Sequence, residues 1–143
     1  MTDRAATERV IGHLRGGPGR TLVLVGGLHG NEPAGVEALR RVVAGLPAPD
    51  RLRGEVVAVA GNVGALERGV RFIDTDMNRG WWPEAMQAEL PADHPVAEDY
   101  ERRALMDALE PVLRRAARPP IVVDLHTASG DTPPFVTLGD TLR

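Results

Sequence analysis

Residues 21–46 read TLVLVGGLHGNEPAGVEALRRVVAGL, and the reading of this stretch decides the fold. The apolar run from Thr21 to Val25, closed by Gly26 and Gly27, predicts a buried strand. Val36, Leu39, Val43 and Leu46 then recur at three- and four-residue spacing behind Pro33, a residue suited to a first helical turn, so a helix packed on a sheet follows. Between strand and helix stand His29 and Glu32, three apart and set among glycines that let the backbone turn tightly and approach a ligand.

Working outward, TERVIGHLRG and GRTLVLVGG are β-leaning runs separated by GGPG, which predicts an opening hairpin with His13 on its first strand. GEVVAVAGN predicts another buried strand, followed by an irregular stretch from Asn62 to about Pro95. From Val96 to Ala117, the spacing sets Tyr100, Leu105, Leu109, Val112 and Leu113 near one face, a helix with Pro111 as its kink site. RPPIVVDLHTASG predicts a strand that ends at a turn, and PPFVTLGDTLR the start of one more. Helices alternating with apolar strands define an α/β domain with a largely parallel sheet.

Composition bounds the function. A chain of 143 residues is one domain's worth. No stretch approaches the roughly 18 apolar residues of a spanning helix, and the charged first ten residues carry no apolar signal core, so no membrane is implied and cytoplasmic is the expected compartment. The absence of cysteine excludes disulfides and thiolate metal sites, leaving His, Asp and Glu as metal ligands. A net charge of −3 with Arg and Glu interspersed, and only two Phe, one Tyr and two Trp, argues against a nucleic-acid partner.

In open α/β sheets the site lies at the carboxyl ends of the strands. GGLHGNE, the stretch after GEVVAVAGN, and DLHTASG all fall there, so His29, Glu32 and His126 have a reason to converge. Two imidazoles and a carboxylate with an open fourth position make a catalytic zinc site. Asp124 shares a strand face with His126 and is placed to orient a ligand imidazole. The competing interpretation, a hydrogen-bonded structural histidine or acid, is preferred for His13 and His94 and stays open for His29, Glu32 and Asp124.

GGLHGNEPAG, GNVGAL, RFIDTDMNRGW and DLHTASG, in this order and at these separations, resemble the succinylglutamate desuccinylase and aspartoacylase family, zinc enzymes with a carboxypeptidase-like fold. The resemblance implies one zinc per subunit held by His29, Glu32 and His126. It also implies substrate recognition by Arg71, Asn78 and Arg79 in the RFIDTDMNR loop. A guanidinium suits a substrate carboxylate, and an arginine near zinc can polarise the scissile carbonyl, so Arg71 is assigned carbonyl polarisation or substrate binding. Asp74 and Asp76 either neutralise and position these arginines or form a second metal site. Trp81 and Trp82 are expected as packing anchors rather than stacking platforms.

The implied reaction is hydrolysis of the amide of a small N-acyl amino acid. The family's general base is a glutamate on a strand well downstream of the second zinc histidine, whereas here no glutamate follows Glu110 and 17 residues follow His126. Residues 1–143 are therefore expected to be the N-terminal part of a single catalytic domain truncated on its C-terminal side; a naturally short relative is the other option. A zinc carboxypeptidase acting on peptides, a non-catalytic zinc or ligand-binding module and a purely structural domain stay open. So do the acyl group and the oligomeric state, a homo-oligomer included.

Overall fold

The computed structural model of the chain describes residues 8–80, 90–91, 93–128 and 130–137. Its strands are β1 (Val10–Arg15), β2 (Gly17–Gly26), β3 (Arg53–Ala60) and β4 (Ile121–Leu125), and its helices α1 (Pro33–Ala44), α2 (Val63–Arg68) and α3 (Ala97–Arg115). The strands form one sheet in the order β1-β3-β2-β4. β2 runs parallel to both β3 and β4, and β1 is antiparallel to β3. This is the mixed, mostly parallel α/β architecture expected from the sequence.

The sheet is sandwiched between helices, which is why β2 and β3 read as unbroken apolar runs. Successive side chains of a strand point to opposite faces. Val23 and Val25 of β2 join Val57 and Val59 of β3 in a cluster with Leu105, Leu109 and Val112 of α3. The intervening Leu24, Val56 and Ala58 pack instead with Leu39 of α1, with Val43 and Leu46 half-buried at the margin. Each fully buried aliphatic side chain of this kind contributes about 1.5–3 kcal/mol relative to exposure. On α3 the expected face is occupied by Leu105, Leu109 and Val112, with Leu113 half-buried, whereas Tyr100 is 54 % exposed and stands off it.

Three further expectations are corrected. The opening hairpin does not form: β1 and β2 are separated by Gly16 alone and lie on either side of β3. Past Gly16 the rest of GGPG does not make a turn but runs on as the start of β2, pairing Gly17 with Arg53, and β1 gains its ladder from β3 instead, where Leu14 faces Val56. The stretch after Asn62 is not irregular throughout, because Asn62 accepts a hydrogen bond from the Ala65 amide at 2.9 Å and so caps α2, with a 3-10 turn at Met77–Arg79 further on. Finally, residues 131–137 form no strand, and the rest of PPFVTLGDTLR lies outside the described residues.

The register positions the site. Gly26 of β2 pairs with Ala60 of β3 and with Leu125 of β4, so the carboxyl ends of the three parallel strands are level. His29, Asn62 and His126, which follow those ends by one to three residues, are thereby delivered to the same edge of the sheet.

Candidate metal centre

The turn between β2 and α1 needs its glycines. Gly27 has φ +72°, in the left-handed region where a side chain is strained, and a Cβ on Gly30 would lie 2.0 Å from the Ala65 carbonyl carbon of α2. The turn also hydrogen-bonds to itself and its neighbours, with the Glu32 amide donating to the His29 carbonyl at 3.1 Å and the Gly30 amide to the Arg71 carbonyl at 3.1 Å. Glu32 is the N-cap of α1, followed by Pro33, yet its carboxylate makes no cap bond to the helix. It turns into the site instead, buried, and a carboxylate at this end of a helix is favoured by the helix dipole.

There the Glu32 carboxylate meets both histidines. His29 Nδ1 lies 3.0 Å from Oε1, His126 Nδ1 lies 3.2 Å from Oε2, and the Thr127 amide donates to Oε2 at 2.6 Å. The two imidazole rings are 5.0 Å apart between centroids. Behind them stand two more carboxylates: Asp76 Oδ1 is 3.0 Å from His29 Nε2, and Asp124 Oδ2 is 2.6 Å from His126 Nε2. Burial pushes the Glu32 carboxyl up, but the Thr127 amide, the His29 bond and the charges of both histidines outweigh it and hold the group below its ordinary value. Asp76 is lowered in the same way, burial being outweighed by His29, the Asn78 amide and Arg71. At Asp124 burial wins over His126 and the carboxyl is raised.

This donor set fits a metal ion. One ligand atom from each of His29, Glu32 and His126 lies within 4.8 Å of the other two. Bonds of about 2.0–2.1 Å in a tetrahedron separate neighbouring ligand atoms by about 3.4 Å. The Nδ1-to-carboxylate distances of 3.0 and 3.2 Å are close to that spacing. The proton count allows the same reading. Each imidazole has a carboxylate oxygen opposite both nitrogens: a doubly protonated ring donates to both, whereas a neutral ring has one N–H and leaves the other nitrogen free to hold a metal. With neutral rings donating to Asp76 and Asp124 through Nε2, the Nδ1 atoms and Glu32 would be the groups free to hold a cation.

The loop residues are placed unequally. Arg71 is drawn to the cluster, its guanidinium 3.8 Å from Glu32 Oε1 and 3.6 Å from Asp76 Oδ2, with its side chain 46 % exposed. Asn78 lies on the Met77–Arg79 turn, where its amide donates to Asp76 Oδ1 at 3.0 Å. Arg79 reaches Asp76 only at 4.0 Å and is 80 % exposed. Asp74 accepts from the Ala97 amide at 2.8 Å and Asp76 belongs to His29, so the two acids do not pair up as a second metal site. His13 lies in a separate cluster, 2.7 Å from Glu55, and His94 is exposed with φ 56°. The expectations for Trp81 and Trp82 lie outside the described residues.

Sequence reasoning missed two carboxylates. Asp76 does stand by Arg71 and Arg79, at 3.6 and 4.0 Å, as the loop pattern leads one to expect, but its bond to His29 spans 47 positions that no local pattern encodes. Glu98, in the first turn of α3, is buried and accepts hydrogen bonds from three consecutive loop amides, Ile73, Asp74 and Thr75.

Fold and site together define an α/β domain with a two-histidine, one-carboxylate centre at the carboxyl edge of a mostly parallel sheet. The chain belongs to the succinylglutamate desuccinylase/aspartoacylase family, whose catalytic-domain model matches residues 18–136. It is 30 % identical over 118 residues to a succinylglutamate desuccinylase of Photorhabdus laumondii, an alignment covering 76 % of this chain and 34 % of the relative. Among solved structures it is similar to the succinylglutamate desuccinylase of Chromobacterium violaceum, at 29 % identity and a TM-score of 0.57, covering 78 % of this chain and 33 % of that one. It is also similar to murine aminoacylase 3, at 27 % identity and a TM-score of 0.53, covering 76 % and 35 %. The chain thus spans about a third of the length of these relatives. No helix among the described residues is long and apolar enough to cross a membrane.

Proposed function

We propose that this chain carries the metal-binding part of a zinc-dependent hydrolase that cleaves the amide bond of a small N-acyl amino acid. The observation that carries the reading is the convergence of His29, Glu32 and His126, with ligand atoms within 4.8 Å of one another. Its support from relatives is the family membership and the likeness to proteins named as desuccinylases and an aminoacylase. When bound, zinc supplies Lewis acidity toward a carbonyl oxygen and acidifies a water.

The chain's own residues divide the remaining work. Asp76 and Asp124 hold the two imidazoles from behind and fix their orientation. Arg71, beside Glu32 and half open to solvent, is placed to donate to the substrate carbonyl or carboxylate. Asn78 and Arg79, on the turn that follows Asp76, meet the substrate's polar groups further out, and the exposed fork of Arg79 suits a carboxylate. The general base is assigned to the part of the relatives' fold that this chain does not span, because Glu32, Asp76 and Asp124 are each engaged with an imidazole.

That engagement also favours a second reading, a module that binds metal without turning over substrate. The two separate on activity, not on metal content. The first test is elemental analysis of purified protein beside a His126→Ala control. One zinc per chain, lost in the control, is the expected result; no zinc above the control would overturn both readings. Hydrolysis of N-acyl amino acids against peptides with a free carboxyl terminus, by a protein of the relatives' full length, then separates a deacylase from a peptidase.

A further inference from the structure

Residues 70–76 run without helix or strand, so their backbone N–H groups must find partners elsewhere. Three of them find the same one. Glu98 Oε1 accepts from the Ile73 amide at 2.7 Å, and Oε2 accepts from the amides of Asp74 and Thr75, each at 3.0 Å. The remaining lone pair of Oε1 takes the Asn62 side-chain amide at 3.0 Å, which ties the same carboxylate to the end of β3. Glu98 is 2 % exposed and Asn62 0 %. Burial pushes the Glu98 carboxyl up, yet the three backbone amides and Asn62 outweigh it and keep the group below its ordinary value. One turn along α3, Glu101 accepts from the amides of Val63 and Gly64 and so fixes the start of α2.

The segment clamped by Glu98 touches the metal centre on both sides. Upstream, the Arg71 carbonyl accepts from Gly30 beside His29, and the Arg71 guanidinium faces Glu32. Downstream, Asp76 holds His29 Nε2 at 3.0 Å. The clamp therefore lies midway between the arginine and the aspartate. Hydrogen bonds to an ionised acceptor are roughly twice as strong as neutral ones.

We propose that Glu98 is the positioning residue of the site: from α3 it sets the register of the Arg71–Arg79 loop, so that Asp76 meets His29 and Arg71 meets Glu32. The assignment deepens the metal-site reading of the preceding subsection and rests on it for its consequence at the metal.

The test uses the 143-residue chain, the variants Glu98→Gln and Glu98→Asp, and Leu109→Ala as a control that weakens the same helix 11 residues beyond Glu98, at a side chain that bonds no loop amide. Two quantities are measured: amide exchange at Ile73, Asp74 and Thr75, and zinc affinity by competition with a chromophoric chelator. Glu98→Gln replaces an acceptor oxygen by an N–H that faces backbone donors. Exchange at the three amides should accelerate about tenfold to a hundredfold relative to β3 amides, and zinc should bind about tenfold more weakly. Leu109→Ala should lower the melting temperature while leaving both quantities within twofold. Glu98→Asp, which keeps the charge but withdraws it by one methylene, should show the same pattern at smaller size and serves if the glutamine variant does not fold. Equal exchange or equal zinc affinity in the Glu98 variants and the control would overturn the proposal. If the unaltered chain takes up no zinc, the metal reading fails on its own, and the exchange comparison still decides whether Glu98 holds the loop.

Discussion

Replacing Asp76 by Asn tests whether the carboxylate behind His29 tunes the centre. The structure fixes what the substitution removes. Asp76 Oδ1 is 3.0 Å from His29 Nε2 and also accepts the Asn78 amide at 3.0 Å, while Oδ2 is 3.6 Å from Arg71. An asparagine can keep an acceptor oxygen toward Nε2 and toward the Asn78 amide, so shape and turn survive, while the charge is lost and an NH2 replaces the oxygen that faces Arg71. Losing such an outer partner weakens metal binding by about 10–100-fold, and retention of a neutral acceptor puts Asp76→Asn at the lower end, about tenfold or ~1.4 kcal/mol. Asp76→Ala removes the acceptor altogether and should approach a hundredfold, with a further loss of stability from the uncapped turn. Zinc competition titrations at neutral pH, with melting curves recorded alongside, measure both. Zinc affinity within twofold of the unaltered chain in Asp76→Ala would show that His29 is oriented without Asp76 and would refute the argument.

Other outcomes follow from the packing. Gly30→Ala should lower the melting temperature and weaken zinc uptake together, since its Cβ would press within 2.0–2.3 Å of the Ala65–Leu66 backbone and displace the turn bearing His29; a stable variant with full zinc content would contradict this. Leu105→Ala, at a fully buried position of α3, should cost about 2–5 kcal/mol in denaturant unfolding. Arg115→Met removes the guanidinium that donates to Glu55 Oε1 at 2.9 Å and leaves that buried carboxylate with His13 as its side-chain partner among the described residues, which should cost about 1–3 kcal/mol near neutral pH given the partial exposure of Arg115. The Glu55 carboxyl is raised by burial but lowered further by Arg115 and His13, so its contribution is present above the unfolded value and is lost as pH falls through the depressed folded one. The stability gap between the unaltered chain and Arg115→Met should therefore close on acidification, as followed by urea unfolding at stepped pH.

What was legible in the sequence had local causes. β2 and α1 announce themselves because two-sided burial erases alternation in one and a helical period marks the other. His29, Glu32 and His126 could be brought together because the ends of parallel strands share an edge, a rule that needs no knowledge of side chains. What was not legible depends on pairing at a distance. Nothing in Val10–Arg15 says that its ladder partner is β3 rather than the adjoining β2, and nothing in Tyr100 says that α3 rotates it outward. Glu98 is disguised as an ordinary acid of a first helical turn, where the helix dipole would welcome it anyway. Its neighbours in space lie 23 to 36 positions away.

β4, which carries Asp124 and leads into His126, belongs to a chain that spans about a third of its relatives' length. β4 is bonded on one side only among the described strands, to β2, and Ile121, Val122 and Val123 on it are 41–57 % exposed. His29 and Glu32 sit on the turn between β2 and α1, whereas His126 follows β4, 97 positions from His29 along the chain. An ion held by all three, as proposed, would act as a cross-link that closes a loop of that length, so that order at His126 and affinity at the centre would rise and fall together.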